Sequence, residues 1–115
     1  RKVYERYHLP ILVTENGIGA PDILEADGKI HDAYRIQFIR EHLQQMRLAI
    51  TDGVQILGYC PWAAIDVVST HQGYRKRYGF IYVDREEFDL KELKRFRKDS
   101  FYWYANVILE NGQNL

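Results

Sequence analysis

Three groups of residues in this sequence carry side chains able to do chemistry. The first is Glu15, which closes the apolar run in Leu9-Pro10-Ile11-Leu12-Val13-Thr14-Glu15-Asn16-Gly17. A carboxylate at the end of an apolar segment can act as a nucleophile. As an isolated glutamate it would equally serve as a cap or a salt-bridge partner. The second group is Trp62 and Asp66 in Gly58-Tyr59-Cys60-Pro61-Trp62-Ala63-Ala64-Ile65-Asp66. An indole at the end of an apolar strand reads, taken alone, as a core residue. The third group is Ser69, Lys76 and Tyr78. Lys76 and Tyr78 are two apart, so on an extended segment they face the same way. One offers a point charge and the other a phenolic donor, which together suit an anion. Taken alone, Arg75-Lys76-Arg77 reads as a solvated charge run, and the alternation turns Arg75 and Arg77 away from Lys76.

These groups need elements to hold them. Residues 11–13 are short, apolar and branched, as in a strand buried on both faces of a parallel sheet. Gly17, Gly19 and Pro21 end it, and Asp27-Gly28 marks a turn in the polar loop that follows. From about Asp32 to Thr51, Ile36, Ile39, Leu43, Met46 and Ile50 recur at spacings of three and four. That is one apolar stripe of a helix, with Asp32 as its N-terminal cap and Asp52-Gly53 as its stop. A second strand runs through residues 54–60 and continues to Val68, and a long loop spans 69–77. Residues 78–83 alternate as a short strand. Asp89 with Glu92 has the spacing of a capping box, so the last helix is expected from there to about Leu109. Its face is Leu93, Phe96, Ser100, Tyr104, Val107 and Ile108, and Asn111-Gly112 stops it. The residues before Leu9 are polar and tyrosine-rich without a period.

Composition narrows the field. Sixteen Lys and Arg balance 16 Asp and Glu over 115 residues, and 46% of the residues are hydrophobic. A globular domain fits, a nucleic-acid binder does not, and no apolar run approaches the roughly 18 residues of a membrane span. No leader segment is visible. The single Cys60 excludes an internal disulfide framework, and within its apolar strand it is expected to pack. No His, Cys and Asp cluster has metal-ligand spacing, and no glycine-rich nucleotide cradle is present. Strand, helix, strand, excursion and helix indicate βα units on a parallel sheet. Two strands are too few for such a sheet with both faces covered. The sequence begins with Arg1 and its one methionine is Met46, so it reads as a piece of a longer chain.

At Thr14-Glu15-Asn16-Gly17 the sequence resembles the nucleophile strand of family 1 glycoside hydrolases, the β-glucosidase-like TIM barrels. Asp32-Ala33-Tyr34-Arg35-Ile36 through His42-Leu43 is similar to the family's seventh barrel helix, and residues 58–66 to its eighth strand. Lys76-Arg77-Tyr78-Gly79-Phe80-Ile81-Tyr82-Val83-Asp84 and Ser100-Phe101-Tyr102-Trp103-Tyr104 resemble its closing segment and last helix. The resemblance covers nearly all of residues 1–115. It implies an α/β fold forming the C-terminal quarter of a (β/α)8 barrel, two of eight βα units.

The resemblance also implies roles. Glu15 becomes the nucleophile of a retaining glycosidase, whose second carboxyl group lies roughly 5–5.5 Å away. The family's acid/base sits in an Asn-Glu-Pro motif that this sequence lacks, and Asp66 matches a structural position instead. Trp62 becomes the platform under the sugar ring, followed by a non-proline cis peptide at Trp62–Ala63. Asn16 orients the nucleophile or the substrate. Members acting on neutral sugars have Glu then Trp where Ser69 and Thr70 stand. A carboxylate would repel a phosphate dianion, whereas a hydroxyl can donate to it. Ser69, Lys76 and Tyr78 thus resemble the 6-phosphate site of the 6-phospho-β-glycosidase branch, and Thr70 resembles its glucoside-type members. Asp32, Arg35 and His42 fit packing and capping, and His71 fits a surface residue. The implied activity is retaining hydrolysis of 6-phospho-β-glucosides in the cytoplasm, without cofactor or metal. The alternatives are a neutral β-glucosidase, a 6-phospho-β-galactosidase and a non-catalytic binding or association module. The expected partners are the phosphorylated substrate and the remainder of the barrel, with no nucleic acid and no membrane. Unpaired strand edges also invite self-association into a homo-oligomer.

Overall fold

The computed structural model describes residues 1–115. Its elements are α1 (Lys2–Tyr7), β1 (Ile11–Asn16), α2 (Ala33–Thr51), β2 (Ile56–Pro61), β3 (Ile81–Val83), β4 (Arg95–Arg97) and α3 (Asp99–Leu109). β1 and β2 pair in parallel, with Val13 opposite Tyr59 and Asn16 opposite Pro61. The apolar stripe of α2 makes the connection between them, so β1-α2-β2 is the βα unit the periodicity implied. Ile39 and Leu43 of α2 form the core with Phe80 and Val107. Phe80 stacks on Tyr104 with ring centroids 5.0 Å apart. Ile50 at the end of the stripe is exposed, while Arg35 and Ala49 are buried. No helix is long and apolar enough to cross a membrane.

Several expectations are corrected. β1 is not buried on both faces, because Leu12 is 50% exposed and Thr14 and Glu15 are open. α2 covers the Ile11 and Val13 side, and β1 has a strand partner on one edge only. Cys60 is exposed rather than packed for the same reason, as is Leu57 of β2. The polar segment 2–7, which showed no period, is a short helix with no buried residue. β2 ends at Pro61 instead of running to Val68. Beyond it, residues 63–66 lie beside 78–81 through bonds such as Phe80 N–H to Ala63 O at 3.0 Å and Asp66 N–H to Ile81 O at 2.9 Å.

The last helix begins nine residues later than the capping-box spacing suggests, with Lys98 rather than Asp89 at its N-cap position. Asp89 accepts from the Lys91 N–H at 2.9 Å, a local turn that competes with helix initiation. Lys91 and Leu93 then take positive φ values of 46° and 53°, outside the right-handed helical region. Residues 95–97 instead pair antiparallel with β3, so Leu93 and Phe96 are not on the helix face. Asp32 stands at the N-cap position of α2, but its side chain makes no cap bond there. Its carboxylate accepts the Ser100 N–H at 2.9 Å and the Ser100 hydroxyl at 2.5 Å, so it caps α3 across the molecule.

Candidate active site

β1 delivers Glu15 through an irregularity. Between the Val13–Tyr59 and Asn16–Pro61 pairs, β1 holds one residue more than β2. Such a bulge re-aims side chains at a sheet end. Here Val13 and Asn16 both line the cavity against α2, and Thr14 and Glu15 are both exposed on the open side. The Tyr59 hydroxyl donates to Asn16 Oδ1 at 2.5 Å, and Asn16 O accepts from Trp62 N–H at 2.8 Å. Burial pushes the Tyr59 hydroxyl up to about 12, so it stays a donor at neutral pH.

The two strand ends then meet at a glycine. A Cβ on Gly17 would lie 1.8 Å from the Trp62 carbonyl oxygen, so only glycine admits this approach. The Trp62–Ala63 peptide is cis, as the resemblance implied. Trp62 itself is 42% exposed, on the surface rather than in the core. A second glycine contact follows, because a Cβ on Gly19 would lie 2.5 Å from the Tyr78 ring. The segment after Glu15 therefore touches both Trp62 and Tyr78.

Ser69, Lys76 and Tyr78 come together. Ser69 and Gly73 exchange backbone bonds of 3.0 Å, closing a tight turn. Ser69 Oγ accepts from the N–H groups of His71 at 3.3 Å and Gln72 at 3.2 Å. The Tyr78 hydroxyl donates to Ser69 Oγ at 3.4 Å. Lys76 Nζ lies 5.4 Å from the Tyr78 ring centroid, as the two-residue spacing predicts. The Ser69 contact and the Lys76 ammonium hold the Tyr78 phenol below the ordinary tyrosine range. Arg75 is exposed, and Arg77 is buried with its guanidinium turned from this group onto Val83 O, Arg85 O and Asp66. His71 is a surface residue bonded to Thr70 Oγ1 at 3.0 Å. His42 is exposed on α2, bonded to Phe38 O.

Under these loops lies an ionic interior. Lys98 Nζ donates to Asp22 Oδ2 at 2.6 Å and to Asp66 Oδ1 at 2.7 Å. Arg35 bonds Asp32 and, at 3.2 Å, Asp22, which also accepts the Tyr34 hydroxyl at 2.6 Å. Asp66 further accepts the Gly79 N–H at 2.9 Å and the Val83 N–H at 3.3 Å. Burial and the nearby Arg35 lower the Lys98 ammonium, while Asp66 and Asp22 oppose them. Asp66, with every bond turned inward and its side chain buried, is structural as expected. No group of three or more His, Cys, Asp and Glu side chains is placed to hold a metal ion.

The sequence profile of glycosyl hydrolase family 1 matches residues 1–113. The chain belongs to that family. Aryl-phospho-β-D-glucosidase BglC of Bacillus subtilis (strain 168) is 51% identical over 115 residues, which are 100% of this chain and 24% of that protein. The phospho-cellobiase of Klebsiella oxytoca is 50% identical over 114 residues, 98% of this chain and 25% of that one. The family 1 β-glucosidase of Thermotoga maritima, solved with isofagomine lactam, superposes with a TM-score of 0.88 at 40% identity. That superposition covers 96% of this chain and 24% of the glucosidase. The chain thus spans about a quarter of the length of the relatives it matches, and its α/β arrangement is that of part of a family 1 fold.

In this family 1 chain, reasoning from sequence missed Asp22, Lys98, Tyr59 and the two glycine contacts. Lys98 and Asp22 are 76 positions apart, and neither lies in a stretch with a local period that would point to the other. Gly17 and Gly19 were visible only as strand breakers, and their real constraint is the backbone and ring pressed against them.

Proposed function

We propose that residues 11–109 form the seventh and eighth βα units of a family 1 (β/α)8 barrel. The whole protein hydrolyses 6-phospho-β-D-glucosides with retention of configuration. The single observation that carries the reading is the meeting of Ser69, Lys76 and Tyr78 at one loop end, with a hydroxyl where a neutral-sugar enzyme of the family has a carboxylate. The Tyr78–Ser69 contact of 3.4 Å and Lys76 beside the Tyr78 ring give two hydroxyls and one cation converging on one place. Relatives at 50–51% identity named for phosphorylated glucosides support it, while the β-glucosidase structure stands at 40%.

In this mechanism the Glu15 carboxylate attacks the anomeric carbon as the glycosidic C–O bond breaks. A carboxylic acid from outside these 115 residues gives its proton to the leaving oxygen. Water, deprotonated by that same group, then displaces Glu15 and releases the 6-phospho sugar. Trp62 supports the ring, Asn16 fixes the turn behind the nucleophile, and Ser69, Lys76 and Tyr78 hold the 6-phosphate. The 115 residues alone, without the proton donor, are inactive. Phosphorylated sugars do not cross membranes freely, which puts the activity in the cytoplasm.

The test uses a chain of the relatives' full length carrying this sequence, such as BglC with its aligned residues replaced by these 115. Turnover of nitrophenyl β-glucoside is compared with that of its 6-phosphate and of the galactoside 6-phosphate. The glucoside 6-phosphate should be strongly preferred, and Glu15→Gln should abolish turnover. Preference for the neutral glucoside would sink the phosphate reading, and preference for the galactoside isomer would move it to the sister activity.

A further inference from the structure

Between two of the proposed phosphate-binding side chains stands a residue that points the other way. Arg77 lies between Lys76 and Tyr78 and is 6% exposed. Its guanidinium donates to Val83 O at 2.5 Å, Arg85 O at 2.6 Å and Asp66 Oδ2 at 3.3 Å. It also stacks over the Tyr82 ring at 4.2 Å. Its backbone is fixed as firmly. Arg77 N–H donates to Ala20 O at 2.9 Å, and Arg77 O accepts from Ala20 N–H at 3.1 Å and from Arg35 Nη2 at 2.9 Å. Asp66 brackets Tyr78, since one oxygen takes Arg77 before it and the other takes the Gly79 N–H after it.

On an extended segment, anchoring one residue inward turns both neighbours outward. We propose that Arg77 is a positioning residue for 6-phosphate recognition: its buried fork on Val83, Arg85 and Asp66 sets the directions of Lys76 and Tyr78. This rests on the phosphate-site reading above and adds a residue that never touches the ligand. Three carbonyl and carboxylate acceptors spread around a planar guanidinium cannot all be met by a lysine ammonium. Arg77→Lys therefore keeps the charge and loses the geometry.

The experiment measures KM and kcat on nitrophenyl β-glucoside and on its 6-phosphate, in the full-length chain. Arg77→Lys should raise KM for the 6-phosphate by about 10–100-fold, the scale of a small misplacement of binding groups. KM for the neutral glucoside should stay within about twofold, because uniform damage to the fold would move both. Should Arg77→Lys not fold, Asp66→Asn with Arg77→Gln keeps the interior neutral, and the same selective rise is expected. Equal rises on both substrates, or no rise on either, overturn the proposal. Lys76→Ala separates the two layers. If it leaves the preference for the 6-phosphate intact, the phosphate reading fails and this proposal falls with it. If it removes the preference while Arg77→Lys does not, Arg77 alone is discarded.

Discussion

Replacing Lys98 by methionine keeps most of the side-chain volume and removes one charge from a closed interior. Lys98 is 0% exposed, and its ammonium joins Asp22 to Asp66 at 2.6 and 2.7 Å. Asp22, Asp32 and Asp66 face Arg35, Arg77 and Lys98, so the interior is neutral as it stands. In the Lys98→Met variant one negative charge is left uncompensated. Breaking a buried pair from one side costs about 3–5 kcal/mol. Asp66 would keep Arg77 and two backbone N–H groups, and Asp22 would keep Arg35 and the Tyr34 hydroxyl, which argues for the lower end, about 3 kcal/mol. With the urea slope of a small protein that moves the midpoint by about 1–3 M, and by less in a full-length chain, whose slope is steeper. Unfolding followed by tryptophan fluorescence reads this directly. Adding Asp66→Asn restores neutrality, so the double variant should be at least about 1 kcal/mol more stable than the sum of the two single losses predicts. A loss below about 1 kcal/mol for Lys98→Met, or strict additivity in the double variant, would refute the ionic reading of this interior.

Two further outcomes are expected. Gly17→Ala puts a methyl 1.8 Å from the Trp62 carbonyl, so β1 or the Trp62 backbone must move, at about 1–3 kcal/mol. kcat/KM should then fall on phosphorylated and neutral substrates alike, and an unchanged kcat/KM would show that the close approach is not required. His31 Nδ1 lies 2.7 Å from Asp99 Oδ2, and that bond raises the imidazole above its ordinary 6.5. Because the folded value is the higher one, the contribution to stability is complete below pH 6.5 and is lost as pH rises through the folded midpoint. An NMR titration should place the midpoint above 6.5, and Asp99→Asn should bring it back down.

The β1-α2-β2 unit was legible because its signals are local. Ile39 and Leu43 repeat at helical spacing, Gly53 takes a φ of 91° at the helix stop, and the branched run before Glu15 extends. The Lys76 and Tyr78 pairing was legible because alternation acts over two residues, and here it is kept by a single bridge between Arg77 and Ala20 rather than by a strand. The errors arose where a local signal met a stronger distant partner. Asp32 has the right residue type to cap α2, but Ser100, 68 positions away, takes its carboxylate for α3. Asp89 and Glu92 have capping-box spacing, but pairing of residues 95–97 with β3 and the left-handed Lys91 and Leu93 delay the helix. Burial of β1 was overestimated because an apolar strand encodes what it can be covered by, and only α2 covers it here.

The loop carrying Ser69, Lys76 and Tyr78 is irregular, and irregular loops are ordinarily the loosest part of a fold. Here its geometry is set from three sides. Gly19 receives the Tyr78 ring, so the segment after Glu15 forms the wall behind the phenol. Asp66 receives the Arg77 guanidinium and the Gly79 N–H, which fixes the backbone on either side of Tyr78. Lys98 then ties Asp66 to Asp22, and Asp22 lies on the same segment as Gly19. The stretch following the proposed nucleophile and the stretch carrying the proposed phosphate-binding group are therefore joined in three ways: by ring-on-backbone contact at Gly19, by the paired Ala20 and Arg77 backbone bonds, and through one buried ammonium. Catalysis by positioned groups loses about 100-fold for a displacement near 1 Å. On the proposed function, a loop that holds an anion at a fixed distance from a nucleophile on another strand needs such a tie, and charges buried under both segments supply it without occupying the open face.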